Sequence, residues 1–167
     1  MDAWSDIRIA ARDCRTAALA TTNAVPTARN LIDAMVSLHD LEIVEFDPGT
    51  RAGEHVLGFF ERGPGIVHIA RGQSKEDEVV VIAHELGHFR LHTDPESDVT
   101  DVSMRLSGEA VESGGARLDG NSSRERQEVQ ADVFAGAFLC PSNWLKDNLL
   151  ARAQPSRIAS VLGLPAA

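Results

Sequence analysis

Apolar residues recur with helical spacing along residues 3–20, where Ala, Arg and Leu dominate. They do so again in VPTARNLIDAMVSLHD, where Pro26 suits the first turn of a second helix. Two N-terminal helices within residues 3–37 are the expectation. The pattern then changes to short apolar or alternating runs, LEIVEFD (41–47), HVLGFFE (55–61) and GIVHIAR (65–71), punctuated by Gly and Pro. These predict three strands in a small antiparallel meander. From Ser74 the chain reads SKEDEVVVIAHELGHFRLH, a long helix that Ser74 can cap and whose early acids, Glu76, Asp77 and Glu78, complement the positive end of its dipole. Val79, Val80, Val81, Ile82, Ala83, Leu86 and Phe89 make that helix apolar almost all round, which places it in the core. The polar, Gly-rich stretch from Asp94 to Ser123 is too long for an ordinary connection and is expected to be a functional or partly mobile loop. Helical spacing returns in RERQEVQADVFAGAFL and stops at Cys140, because Pro141 follows. Shorter helical runs, SNWLKDNLLARA and PSRIASVLG, fill residues 142–163.

With 167 residues and 43% hydrophobic content, the chain is expected to form one α+β domain over residues 1–167, with its core in 41–141. A net charge of −9 and a pI of about 5.0 repel a phosphate backbone, which argues against direct binding of nucleic acid. Cys14 and Cys140 are the two cysteines, far apart and in no CxxC pair, so a reducing compartment fits best. The first fifteen residues mix acids and bases and lack the unbroken apolar stretch of a signal peptide. No apolar run approaches the ~20 residues that cross a bilayer. A soluble cytoplasmic protein that does not enter the membrane is the expectation.

Residues 84–88 read HELGH, the H-E-x-x-H pattern. At about 100° and 1.5 Å per residue, His84 and His88 fall one turn apart on one helix face, where both imidazoles can reach a single ion. Glu85 sits beside that face, placed to act as the base toward a water activated by the ion. Histidine nitrogens with an open position favour Zn²⁺, although Mn²⁺ or Co²⁺ can occupy such a site. Two histidines and a glutamate can also coincide by chance in an amphipathic helix, but buried histidines need partners, and a shared metal supplies one.

A third protein ligand is needed, and His92, Glu125 and Glu128 are the candidates. On an unbroken helix His92 lies about 12 Å along the axis from His84, too far for both to touch one ion. Its expected role is structural, closing the helix end. Glu128 opens an E-x-x-x-D spacing in EVQAD that puts Glu128 and Asp132 on one helix face. From there Glu128 can bind the metal, and Asp132 can accept the free ring N–H of a ligating histidine and fix its tautomer. These acids can equally be the solvated face of a helix whose Val129, Phe134, Ala135 and Phe138 pack inward. Lesser candidates are His68, as a groove-lining or exposed strand residue, and Cys140, as a small core residue.

HELGH with His92 one turn later, a gap, and then ERQEVQADVFAGAFLCP resembles the ImmA/IrrE metallopeptidases, whose E-x-x-A-(N/D)-x-F-A-x-x-(L/F)-L-x-P signature follows the zinc helix. The match spans roughly Leu41 to Pro141. The resemblance implies a zincin-like fold with the HExxH helix packed beside a small sheet. It also implies that His84, His88 and Glu128 ligate zinc and that Glu85 is the base of an endopeptidase. The substrate it implies is a protein, commonly a helix-turn-helix transcriptional repressor whose cleavage switches on stress-response genes. A non-catalytic zinc-containing module that regulates a partner by binding is the alternative. The terminal PSRIASVLGLPAA resembles the start of a helix-turn-helix but stops where a second helix should begin, so no DNA role is assigned to it.

Overall fold

A computed structural model describes residues 3–22, 27–48, 56–92, 123–150 and 154–164. The described elements run α1 (Ala3–Thr21), α2 (Ala28–Leu38), β1 (Glu42–Phe46), β2 (Gly58–Glu61), β3 (Ile66–Ala70), α3 (Lys75–Leu91), α4 (Ser123–Leu139), α5 (Ser142–Leu150) and α6 (Pro155–Leu162). This is an α+β protein with a zincin-like arrangement, a small sheet resting on the helix that carries His84 and His88. The long segment between His92 and Ser123, for which a functional or mobile loop is expected, lies outside the described residues, as does Pro26.

Local chemistry explains where the helices start and stop. The Thr27 side chain accepts the Asn30 backbone N–H and caps α2. Ser74 does the same for α3 through the backbone N–H of Asp77, at 3.1 Å, as its sequence predicts. At the other end of α3, Arg62 in the β2–β3 turn donates to the carbonyl oxygens of His88, at 3.0 Å, and of His92. It thereby adds a second donor to His88 O, which already accepts the His92 N–H, serves His92 O beyond the last turn, and puts a positive charge at the negative end of the dipole. Arg15 of α1 treats α4 in the same way, donating to the carbonyls of Phe138 at 2.7 Å and Leu139 at 3.2 Å. Helix α6 closes on Gly163, whose φ of 67° is the left-handed conformation that glycine adopts freely.

The sheet departs from the predicted meander. Its order is β1-β3-β2, with β2 antiparallel to β3 but β1 parallel to it. Alternation of apolar side chains fixes which face of a strand turns inward and leaves the choice of neighbour open. Here the short turn after Glu61 forms the β2–β3 hairpin, with Gly65 at φ 74°. The separation between Phe46 and Gly58 lets β3, the most enclosed strand, take the middle place. Phe60, Val67 and Ile69 face α3, whereas Phe59 and His68 project from the other face and stack with ring centroids 4.3 Å apart.

Helix α3 runs through the middle of the packing. Val79, Val81, Ile82, Ala83 and Leu86 join Leu31, Ile32 and Met35 of α2 and Phe134 and Phe138 of α4 in one core cluster. Ile7, Ala11, Cys14 and Ala18 give α1 a stripe of mostly small buried residues, by which it lies close to α4. Among the described residues no helix is long and apolar enough to cross a membrane.

Candidate metal centre

Two helices that are distant in sequence converge to build the site. His84 and His88, one turn apart on α3, are 2% and 4% exposed, and their Nε2 atoms stand 3.0 Å from each other. Glu128 of α4 brings Oε2 to 3.2 Å from His84 Nε2 and 3.6 Å from His88 Nε2. One donor atom from each of the three residues lies within 4.8 Å of the others, a grouping that could hold a metal ion. Glu125, three residues earlier on α4, is exposed and stands outside this group. Asp132 Oδ1 accepts the His84 Nδ1–H at 2.8 Å, so the outer nitrogen of that ring is committed and the inner one turns toward Glu128.

The electrostatics describe a pocket of acceptors short of a cation. Against burial, which lowers it, the hydrogen bonds to Asp132 and Glu128 push His84 up to about 10. Against burial, which raises it, the contacts with His84 and His88 bring Glu128 down to about 2. These contacts favour a second proton on His84, at the Nε2 that faces Glu128. An ion that displaced this proton would bind with an affinity that rises with pH. Glu128 Oε1 is buried and has no hydrogen-bond partner among the described residues. Two imidazoles and a carboxylate suit Zn²⁺ well, and the partnerless oxygen gives the ion one more atom to satisfy. The residues therefore fit such a group.

Glu85 is fully buried, and neither carboxylate oxygen makes a well-formed hydrogen bond. Burial pushes it up to about 8 and Glu128 adds to the rise, while His84 and the Phe60 backbone act in the opposite direction. Its environment is shaped by a glycine. A Cβ on Gly58 would stand 2.5 Å from Val81 Cγ1, 3.0 Å from His68 O and 3.6 Å from Glu85 Oε1, so the bare backbone lets edge strand β2 settle against the helix beside this carboxyl.

His92 does not join the three converging donors. It is the C-cap of α3, its backbone N–H donating to His88 O, and its ring lies between His88 and Gln130 of α4. Burial holds it below the usual histidine range. His68 pairs with Glu61 Oε2 at 3.0 Å on the sheet face turned away from α3 and lines no part of the site. Burial raises the Cys140 thiol, with Arg15 opposing, which leaves it a poor nucleophile.

Sequence reasoning passed over Gly58, Arg62, Gln130 and Gly87. Gly87, inside HELGH, faces Ala131 so closely that a Cβ would meet Ala131 Cα at 3.0 Å, its carbonyl oxygen at 3.1 Å and its Cβ at 3.3 Å. Backbone atoms cannot step aside as a flexible side chain can, so Gly87→Ala must wedge α3 from α4, one turn from Glu128. Overpacking of this kind is expected to cost about 1–3 kcal/mol. Thermal unfolding of the metal-free variant checks this, and an unchanged melting temperature would mean that the two helices part freely. The pairing of a glycine in the motif with an alanine in the second motif was a usable signal for close helix contact.

A helix-borne pair of imidazoles with a buried glutamate between them, completed by a carboxylate from a second helix, defines a protein of the zincin-like class. The chain belongs to the peptidase M78 family: the family model described as the IrrE N-terminal-like domain matches residues 37–166. It is thus a metallopeptidase-family protein. No curated protein sequence matches it. Among solved structures, its fold is similar to that of a Mycobacterium tuberculosis transcriptional regulator, with a TM-score of 0.59 and 17% identity over 96% of this chain and 44% of that one. The chain therefore spans less than half the length of that protein.

Proposed function

We propose that the chain is a zinc-dependent endopeptidase acting in the cytoplasm on a protein substrate, namely a helix-turn-helix transcriptional repressor. The observation that carries the reading is the Glu85 carboxyl, buried without a well-formed partner beside three converging donor atoms. A structural metal site has no use for it. In this reading His84, His88 and Glu128 hold the metal, and Asp132 keeps His84 in the tautomer that turns its Nε2 inward. Zinc bound there supplies Lewis acidity, which lowers the pKa of a water and polarises a peptide carbonyl. Glu85 is the base. Its carboxylate takes the proton that water must lose, and burial, by raising its affinity for that proton, suits it to hold the proton and return it to the leaving amine.

Three further facts support the choice of substrate. The resemblance to the ImmA/IrrE metallopeptidases implies it, a protein of similar fold is itself named a transcriptional regulator, and a net charge of −9 favours encounter with a basic DNA-binding protein. Such steering acts mainly on association rate and weakens with salt. Zinc-loaded chain mixed with a repressor encoded beside it should cut that repressor at a defined bond, should stop when a chelator is added, and should leave casein largely intact. Mass spectrometry of the fragments checks this. Degradation of casein with the repressor untouched would indicate a general peptidase. Tight binding without cleavage would favour a non-catalytic zinc-containing module that regulates by contact.

A further inference from the structure

We propose that Gln130 and His92 form a positioning relay that holds His88 with its hydrogen on Nδ1 and its Nε2 lone pair facing Glu128 and His84. The order of atoms determines it. Gln130 Oε1, 3.0 Å from His92 Nε2, can only accept, so that nitrogen carries the hydrogen. A neutral His92 then presents a lone pair at Nδ1. That atom is 3.0 Å from His88 Nδ1, and a hydrogen bond forms there only if His88 donates from Nδ1. A neutral His88 is left with its lone pair on Nε2, the atom 3.0 Å from His84 Nε2 and 3.6 Å from Glu128 Oε2. His84 receives the same instruction directly from Asp132.

Helix α4 thus sets both α3 imidazoles, the near one through a carboxylate and the far one through an amide and an intervening ring. The amide fixes the tautomer without adding charge. A second carboxylate here would favour a charged imidazole, and a charged His88 has no lone pair to offer an ion. Arg62 braces the relay from below, holding the backbone carbonyls of both His88 and His92 so that the two rings keep their spacing.

The relay rests on the reading of His88 as a metal ligand, and two measurements keep the two ideas apart. The first is the imidazole nitrogen-15 spectrum of the metal-free chain at alkaline pH. It should show His88 protonated at Nδ1 in the wild type and a tautomer mixture in Gln130→Met, which keeps the bulk and removes the acceptor. A wild-type His88 protonated at Nε2 overturns the relay. The second is zinc affinity by competition with a chromophoric chelator, where loss of an orienting partner lowers affinity by about 10- to 100-fold. Gln130→Met should show this loss and Gln130→Glu, which retains an acceptor oxygen, should restore affinity in alkaline buffer. Wild-type affinity in Gln130→Met, or a Gln130→Glu chain as weak as Gln130→Met, overturns the relay. A wild type that binds no zinc overturns the ligand reading, and the relay is then decided by the spectra.

Discussion

Replacement of Glu85 by glutamine is expected to lower turnover of the protein substrate by about 10²- to 10⁴-fold, the contribution of a positioned general base, while zinc remains bound. The amide keeps the shape of the side chain but has no basic oxygen. It touches none of the three donor atoms, so metal content should stay at the wild-type level. The same variant has a second signature in the metal-free chain. The wild-type carboxyl is pushed from an ordinary value of 4.5 up to about 8 in the folded state. A carboxyl whose folded pKa is raised ionises first in the unfolded chain, so it erodes stability as pH climbs from about 4.5 to about 8, and the loss is complete above that range. Glu85→Gln removes this burden, which is on the order of a few kcal/mol at the alkaline end. Metal-free Glu85→Gln should therefore melt above the wild type in alkaline buffer and close to it in mild acid. Retention of more than a tenth of wild-type turnover by the zinc-loaded variant would remove Glu85 from the role of base. A melting difference that shrinks with rising pH would contradict the burial of this carboxyl.

The other large effect belongs to the donors. His84→Ala and Glu128→Gln should each weaken zinc binding by at least the 10- to 100-fold that follows loss of a mere orienting neighbour. Glu125→Gln, altered at an exposed position of the same helix, should bind as the wild type does. Elemental analysis after dialysis against a mild chelator reads the three variants side by side. Metal lost from Glu125→Gln and kept by Glu128→Gln would exchange the two residues and overturn the assignment. Glu128→Gln is also informative without metal. Glu128 is held at about 2, so the stability it lends as a carboxylate is in place above its ordinary 4.5 and disappears as pH falls toward about 2. Neutral glutamine at this position should make unfolding less dependent on pH across that acid range.

Much of the centre was legible because pattern and chemistry coincide in one segment. Ser74 caps α3, its acids fill the first turn, its apolar residues run to Phe89, and HELGH lies in the enclosed stretch between. The second helix was legible in extent, since Pro141 marks its end, but two carboxylates three residues apart left its register open. The structure places Glu128, half-buried, against both imidazoles and leaves Glu125 exposed. Strand order was hidden for a different reason. Alternation tells Phe60 and Val67 to face inward and carries no information about which neighbour each strand takes, so the parallel pairing of β1 with β3 could not be read from it. Gly87, Arg62 and Gln130 act across gaps in the sequence, through close backbone approach or contact with another element. Apart from the small residues Gly87 and Ala131 in the two motifs, a single chain read from end to end gives no sign of such meetings.

The donors of the centre come from α3 and α4, and residues 93–122 separate these helices along the chain. In the open chain His88 and Glu128 are strangers, and bringing them together costs the entropy of closing the intervening loop. A cation that prefers the folded arrangement repays that cost by mass action, adding RT ln(1 + [M]/Kd) to the stability of the protein. Holding a metal as proposed above, the same three side chains would form a cross-link whose strength is set by the free metal of the surroundings. Scarcity of zinc would then act twice, by emptying the site and by loosening the two helices that form it.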